Sequence, residues 1–137
     1  MANFDDVQWM RKAIELAKRG NATQGANSIG CVIVRDGVEI ARGFNEVGIR
    51  HDPTAHAEIV AMRRAGKRAQ CPELRGAVLY TTLQPCGMCT MASIWAKIGR
   101  IVFGRCPGQP GDRSASMDLE AYRLNCSSFG TIARGGT

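Results

Sequence analysis

No run of about 18 apolar residues, the length a helix needs to cross a bilayer, occurs in the 137-residue chain. The opening MANFDDVQWMRKA carries acidic residues where a signal peptide needs a basic region followed by an apolar one. There is no internal repeat, interdomain linker or low-complexity tract. These absences predict a soluble, cytoplasmic protein with no membrane contact. At 137 residues and 45% hydrophobic content, the chain is long enough for one cored domain and too short for two. A single domain over residues 1–137 is expected, with a short C-terminal tail after about residue 105.

What the chain does have is cysteine, six in all. The small secreted scaffolds that need a disulfide framework are shorter and carry an export signal, so reduced thiols are the better expectation. Cys31, Cys71, Cys106 and Cys126 stand alone and read as buried or incidental residues outside any site. Cys86 and Cys89, in LQPCGMCT, are a different matter: Cys-x-x-Cys suits a redox pair or half of a metal site, and these eight residues do not decide between them.

The net charge of +6 fits a polyanionic partner without requiring one. Arg63, Arg64, Lys67 and Arg68 lie on a helical pattern that ends near Gly66, where cations also favour the negative end of a helix dipole. A solvated helix end explains that cluster better than a binding patch.

Helix and strand alternate along the chain. Val7, Met10, Ile14 and Ala17 recur at helical spacing, with Asp5 or Asp6 as N-cap and Gly20 as stop. IGCVIVRDGVEIARGFN reads as two strands joined at Asp36-Gly37, a tight-hairpin signal. TAHAEIVAMRRAG is a second helix closing at Gly66. AVLYTTL predicts a buried strand over 77–83. In the helix that follows, Met88, Met91, Ala92, Ile94, Trp95 and Ile98 cover most of the circumference, which implies packing on several sides and makes Trp95 a core residue. Pro85 fixes the lead-in to that helix. RIVFG is the next strand, and strand–helix–strand implies a parallel crossover. The sum is an α/β fold with helices on both faces of a mixed sheet. RCPGQPGDRSAS reads as loop, MDLEAYRL as about two helical turns, and FGTIARGGT as a further short strand.

The cysteine pair gains meaning from PTAHAEIV, which puts His56 and Glu58 at the start of a predicted helix. One imidazole and two thiolates suit a borderline-soft zinc ion, and three protein ligands leave a fourth position for water, the arrangement of catalytic zinc. Cys86 and Cys89 share one side of a first helical turn, and His56 opens another helix, so two positive helix ends can converge on the metal. Glu58, two residues from His56, turns elsewhere and suits a proton shuttle.

HAE and PCGMC together match the known signature of the zinc-dependent nucleobase deaminases. WMRKAIELAKRG, HDPTAHAEIVAMRRAG, LYTTLQPCGMC and IGRIVFG, spread over roughly residues 8–104, resemble the bacterial tRNA adenosine deaminases of the cytidine/deoxycytidylate deaminase superfamily. Guanine and fungal cytosine deaminases share the same core motifs. The resemblance implies a cytidine-deaminase-like three-layer α/β/α sandwich on a mixed five-stranded sheet, one zinc per chain and a homodimer. It implies release of ammonia from a nucleobase amino group, with metal-activated water attacking the amine-bearing carbon and Glu58 carrying protons. It further places Asn45 against the base or ribose, a residue that local sequence explains equally well as a turn cap. The Ala57 amide and the segment Ser28 to Gly30, with Ile29 and Gly30 foremost, would line the base pocket.

Two departures bear on substrate. Gln84 stands where many relatives have glutamate, and the chain ends soon after RIVFG, where relatives acting on tRNA usually continue into an RNA-touching helix. The expected substrate is a nucleobase amine, with adenosine in tRNA modestly ahead and free guanine or cytosine as the alternative. A catalytically silent zinc-binding partner subunit, opposed by the retained Glu58, and a thiol redox protein are the remaining readings.

Overall fold

The computed structural model describes residues 4–24, 29–104 and 130–133. In chain order these form α1 (Phe4–Gln24), β1 (Gly30–Arg35), β2 (Val38–Phe44), α2 (Val47–Arg50), α3 (Ala57–Ala69), β3 (Val78–Thr81), α4 (Gly87–Trp95), β4 (Arg100–Phe103) and β5 (Gly130–Ala133). The sheet order is β2-β1-β3-β4-β5. Only the β3–β4 pairing is parallel, as the crossover through α4 requires; the other pairings are antiparallel.

Strand alternation divides the core in two. Val32 and Val34 of β1, Tyr80 of β3 and Val102 of β4 face one side, where Met10, Ala13, Ile14 and Ala17 of α1 cover them. Cys31, Ile33, Leu79 and Ile101 face the other side, beneath Ala57, Ala61 and Ala65 of α3, with Ala92 and Ala96 of the α4 segment packed alongside. Helices thus lie on both faces of a mixed sheet, as the sequence pattern predicted. Two glycines permit the close approach. A Cβ on Gly30 would run into the Ala13 carbonyl oxygen of α1, and one on Gly43 would stand 2.9 Å from the Ala57 carbonyl oxygen and 3.0 Å from the Ala61 nitrogen of α3.

The hairpin forms at Asp36-Gly37, both at positive φ (54° and 76°). Several expected boundaries moved. Asp5 and Asp6 lie inside the first turn of α1, and the helix continues through Gly20 to Gln24; α3 likewise passes Gly66 and ends at Gln70 in a left-handed C-cap. A helical glycine costs only about 1 kcal/mol against alanine, too little to stop a helix that packing holds. Asp6 is buried and paired instead: it accepts a hydrogen bond from the Tyr80 hydroxyl at 2.7 Å and from both terminal nitrogens of Arg100 at 2.7 and 3.1 Å. This cluster pins α1 to β3 and β4.

The helix after Cys89 contradicts its expected all-round packing. Only Cys89 and Ser93 of α4 are buried, while Met88, Met91, Ile94 and Trp95 are exposed, Trp95 at 74%. Trp95 is therefore a surface residue rather than core. Ile98 is buried as expected. At the C-terminal end, β5 falls within FGTIARGGT and pairs with β4; RCPGQPGDRSAS and MDLEAYRL lie outside the described residues.

Candidate metal centre and catalytic carboxylate

His56 and Cys86 hold matching positions, each the N-cap of its helix with extended backbone (φ −65°, ψ 157° and φ −72°, ψ 175°). Neither side chain makes a capping bond, so both are turned to other use. Cys89 lies one turn into α4 and points the same way as Cys86. The three donor atoms all lie within 4.8 Å of one another. His56 Nδ1 is 3.7 Å from Cys86 Sγ and 3.6 Å from Cys89 Sγ.

Those separations meet a geometric test. With Zn–N of about 2.0–2.1 Å and Zn–S of about 2.3 Å, a tetrahedral angle puts nitrogen and sulfur about 3.6 Å apart. Both nitrogen–sulfur separations therefore match tetrahedral edges, with Nδ1 as the histidine ligand. Burial grades from Cys89, buried, through His56 to Cys86, exposed, so the site opens to solvent on the Cys86 side. Two helix N-termini converge here and favour anionic ligands.

The Cys89 thiol is pushed well up, first by burial and then by the negative charges of Glu58 and Cys86. A buried thiol raised in this way fits a metal ligand and equally the resolving member of a dithiol; the His56 imidazole at the same centre is what favours a metal. A divalent cation supplies the positive charge that a buried thiolate needs.

Glu58, in the first turn of α3, is 3% exposed. Its Oε1 is buried without a hydrogen-bond partner among the described residues, a costly state for a polar atom and one expected where a ligand is to be met. Burial raises its carboxyl above the ordinary range, against the opposing pull of its own backbone N–H, the His56 charge and the Cys89 thiol. Desolvation dominates, the condition that moves a carboxylate toward proton transfer near neutral pH. Beneath the site, Cys31 pairs across the sheet with Thr81, whose hydroxyl also lacks a partner among the described residues. The Cys31 thiol is raised by burial, then by Glu58 and Cys89, so this cysteine is core material, though closer to the centre than its isolation in sequence suggested.

Of the other expected residues, Ser28 lies outside the described residues. The Asn45 N–H donates to the Ile29 carbonyl at 3.3 Å, placing those two side by side. The Asn45 side-chain oxygen accepts the Val47 N–H at 2.9 Å, so the turn-cap role is real. Gly30 donates to Thr82 Oγ1 at 3.2 Å and accepts the Thr82 N–H at 3.1 Å, leaving both of its backbone groups engaged. Ala57 is fully buried as the first residue of α3, where a first-turn N–H has no intrahelical partner. Pro85 is buried just ahead of α4, and Gln84 is exposed.

Sequence reasoning missed α2 and what surrounds it. The segment from Asn45 to Ala55 is closed by the Glu46 N–H donating to the Ala55 carbonyl at 2.9 Å. It is braced on α3 by Arg64–Glu46 (3.1 Å) and Arg63–Asp52 (3.4 Å). The sequence shows these charges but not their pairing, which only the fold brings about. Two of the four cations read as a solvated helix end are thus brace residues, while Lys67 and Arg68 do occupy the last turn.

Residues 4–105 match the family model of the cytidine and deoxycytidylate deaminase zinc-binding region. The chain belongs to that family. In this zinc-binding family, His56, Cys86 and Cys89 are the side chains positioned to hold the ion. The chain is 43% identical over 122 residues to the tRNA-specific adenosine deaminase of Haemophilus influenzae, across 88% of this chain and 70% of that one. It is 42% identical over 89 residues to the guanine deaminase of Bacillus subtilis, across 65% and 57%. In three dimensions it matches a solved tRNA:A34 deaminase with a TM-score of 0.69 and 38% identity, over 72% of this chain and 75% of that one. The deaminase fold is therefore matched in sequence and in backbone, although the chain spans little more than half of the guanine deaminase.

Proposed function

We propose that this chain is a zinc-dependent hydrolytic deaminase that releases ammonia from a nucleobase amino group, adenine in a tRNA context ahead of free guanine or cytosine. The observation that carries the reading is the buried Glu58 Oε1, without a hydrogen-bond partner among the described residues, beside a histidine and two cysteines whose nitrogen–sulfur separations match tetrahedral edges. Bound by His56, Cys86 and Cys89, one zinc per chain would supply Lewis-acid activation of water. Glu58 takes a proton from the attacking water and delivers it to the ring nitrogen, then takes the second proton from the new C–OH group and passes it to the departing amine as that C–O becomes the ring carbonyl. A C–O bond forms at the ring carbon, the C–N bond breaks, and ammonia leaves. A silent partner subunit would have no use for this carboxylate.

Around the base, Ile29 would pack on a ring face and Ala57 would offer its first-turn N–H. Asn45, held at the end of β2 by the Val47 N–H, would face base or ribose. Gly30, clamped to Thr82, would hold the pocket floor. The tRNA reading is supported by the 43% identity to an adenosine deaminase and by a net charge of +6, which suits a phosphate-bearing substrate. The 42% identity to a guanine deaminase favours the second reading.

The domain proposed is the three-layer α/β/α sandwich on a five-stranded sheet, one unit over residues 1–137 with a tail after about 105. A homodimer is supported by the exposed apolar face of α4, which continues into a groove of about 540 Å³ walled by Ile59, Met62, Ala92 and Ala96. No helix among the described residues is long and apolar enough to cross a membrane, and thiolate ligands suit a reducing cytoplasm.

Ammonia release measured with tRNA, single-stranded oligonucleotides, nucleosides and free bases at two salt concentrations tests the reading. Turnover of tRNA that falls steeply with salt supports the first choice. Activity confined to a free base and indifferent to salt selects the second. Zinc-loaded protein silent on the whole panel overturns both.

A further inference from the structure

We propose that Glu46 is a positioning residue for substrate recognition, acting through Asn45; this rests on the assignment of Asn45 to the base pocket. Glu46 is only 7% exposed, and each carboxylate oxygen is held from a different direction. Oε1 accepts from Arg50 Nε of α2 at 2.5 Å, and Oε2 accepts from Arg64 Nη2 of α3 at 3.1 Å. The other terminal nitrogen of Arg64 donates to the Arg42 carbonyl of β2 at 3.0 Å. One guanidinium therefore ties the strand before Asn45, the residue after it and the helix that begins beside His56.

The backbone completes the clasp. The bond from the Glu46 N–H to the Ala55 carbonyl joins the two ends of the segment, leaving Asn45 just outside one end and His56 just outside the other. Arg50 N–H donates to the Glu46 carbonyl at 3.0 Å and anchors α2, whose first residue, Val47, holds the Asn45 side-chain oxygen. The orientation of Asn45 is thus set by Val47, that of Val47 by α2, and that of α2 by Glu46. A buried carboxylate is costly unless each oxygen is paired, and merely connecting β2 to α3 would not require one. What this one fixes is the displacement between the metal ligand and the base-contacting residue.

Glu46→Ala, Arg64→Met, their double variant and Glu46→Gln test this by amide hydrogen exchange over residues 45–55, zinc content and steady-state kinetics on the substrate the panel identifies. Expected are faster exchange confined to that segment, full zinc content and a KM raised ~10-fold at little-changed kcat, since misplacement of a contact residue is felt in binding. The two single effects should not add, because both break one clasp. Glu46→Gln, which keeps the shape and one acceptor, should recover part of the loss and still reports if the alanine variant does not fold. Unchanged exchange in the segment, an unmoved KM, or loss of zinc and stability without a KM effect would overturn the proposal. Should the wild-type protein deaminate nothing on the panel, the proposed function fails, and an exchange pattern unaltered in the variants would separately refute the clasp.

Discussion

His56 Nδ1 lies 3.6 Å from Cys89 Sγ, although the two residues are thirty-three apart in the chain. That separation matches the edge a tetrahedral zinc would need, and an ion held there would tie the residue before α3 to the first turn of α4. Metal binding is therefore coupled to the packing of the two helices. Purified protein should carry about one zinc per chain by elemental analysis. Stripping it with a chelator should lower the melting temperature, by about 2.7 kcal/mol of stability relative to protein held at a hundredfold excess of free zinc over Kd. Cys89→Ala should abolish stoichiometric zinc and melt like the stripped protein. A well-folded, fully active protein without zinc would rule the centre out.

Glu58 lies against the same cluster, and the proposed mechanism gives it proton transfer rather than metal ligation. Glu58→Gln preserves the shape but carries no proton, so zinc content and melting should stay close to wild type while turnover falls by at least ~10²-fold. The buried Oε1 also loses its electrostatic penalty in this variant, so a small gain in stability is expected. Wild-type turnover by Glu58→Gln, on whatever substrate the protein accepts, would exclude this carboxylate as the proton carrier.

Asp6 lies on the opposite face of the sheet from the metal centre, within the cluster of Tyr80 and Arg100. Removing one partner of a buried pair strands the other, so Asp6→Ala should cost about 3 kcal/mol, the lower end of the range because Arg100 can reach water. Tyr80→Phe removes one hydrogen bond and should cost about 1 kcal/mol. Denaturant melts measure both. Zinc content and KM of the folded fraction should be unchanged, and a metal defect in either variant would show the two faces to be coupled.

The parts of this fold that were legible in the sequence are those written as periodicity or as fixed ligand chemistry. Met10, Ile14 and Ala17 marked the buried stripe of α1, with Val7 partly buried beside it, and His56, Cys86 and Cys89 pointed to a metal by their donor types. Stops were harder to read, because Gly20 and Gly66 oppose a helix by less than packing favours it. Trp95 was misplaced because an all-round apolar helix signals burial without saying which surface provides it. Four residues of α2 carry no period at all, so the clasp at Glu46 could appear only once Arg50 and Arg64 were placed around it. The raised Glu58 carboxyl was equally illegible, since it follows from exclusion of water rather than from any neighbour in sequence.

Gly43 offers a test of how closely the metal site depends on the strand beneath it. A Cβ there would lie 2.9 Å from the Ala57 carbonyl oxygen, 3.0 Å from the Ala61 nitrogen and 3.1 Å from Val60 Cγ1. Two of these neighbours are backbone atoms of the first turns of α3 and cannot rotate aside, so the helix must move. His56 is the N-cap of that helix, and its Nδ1 must hold its place on a tetrahedral edge. Gly43→Ala should therefore cost about 1–3 kcal/mol as overpacking and, unlike Asp6→Ala, weaken zinc retention against a chelator. Gly48→Ala provides the control: it lies in α2 with open space around its would-be Cβ, so it should be neutral or slightly stabilising. Chelator competition and thermal melts on the two variants read the difference directly. Equal zinc retention in both would mean that α3 absorbs the displacement without passing it to His56.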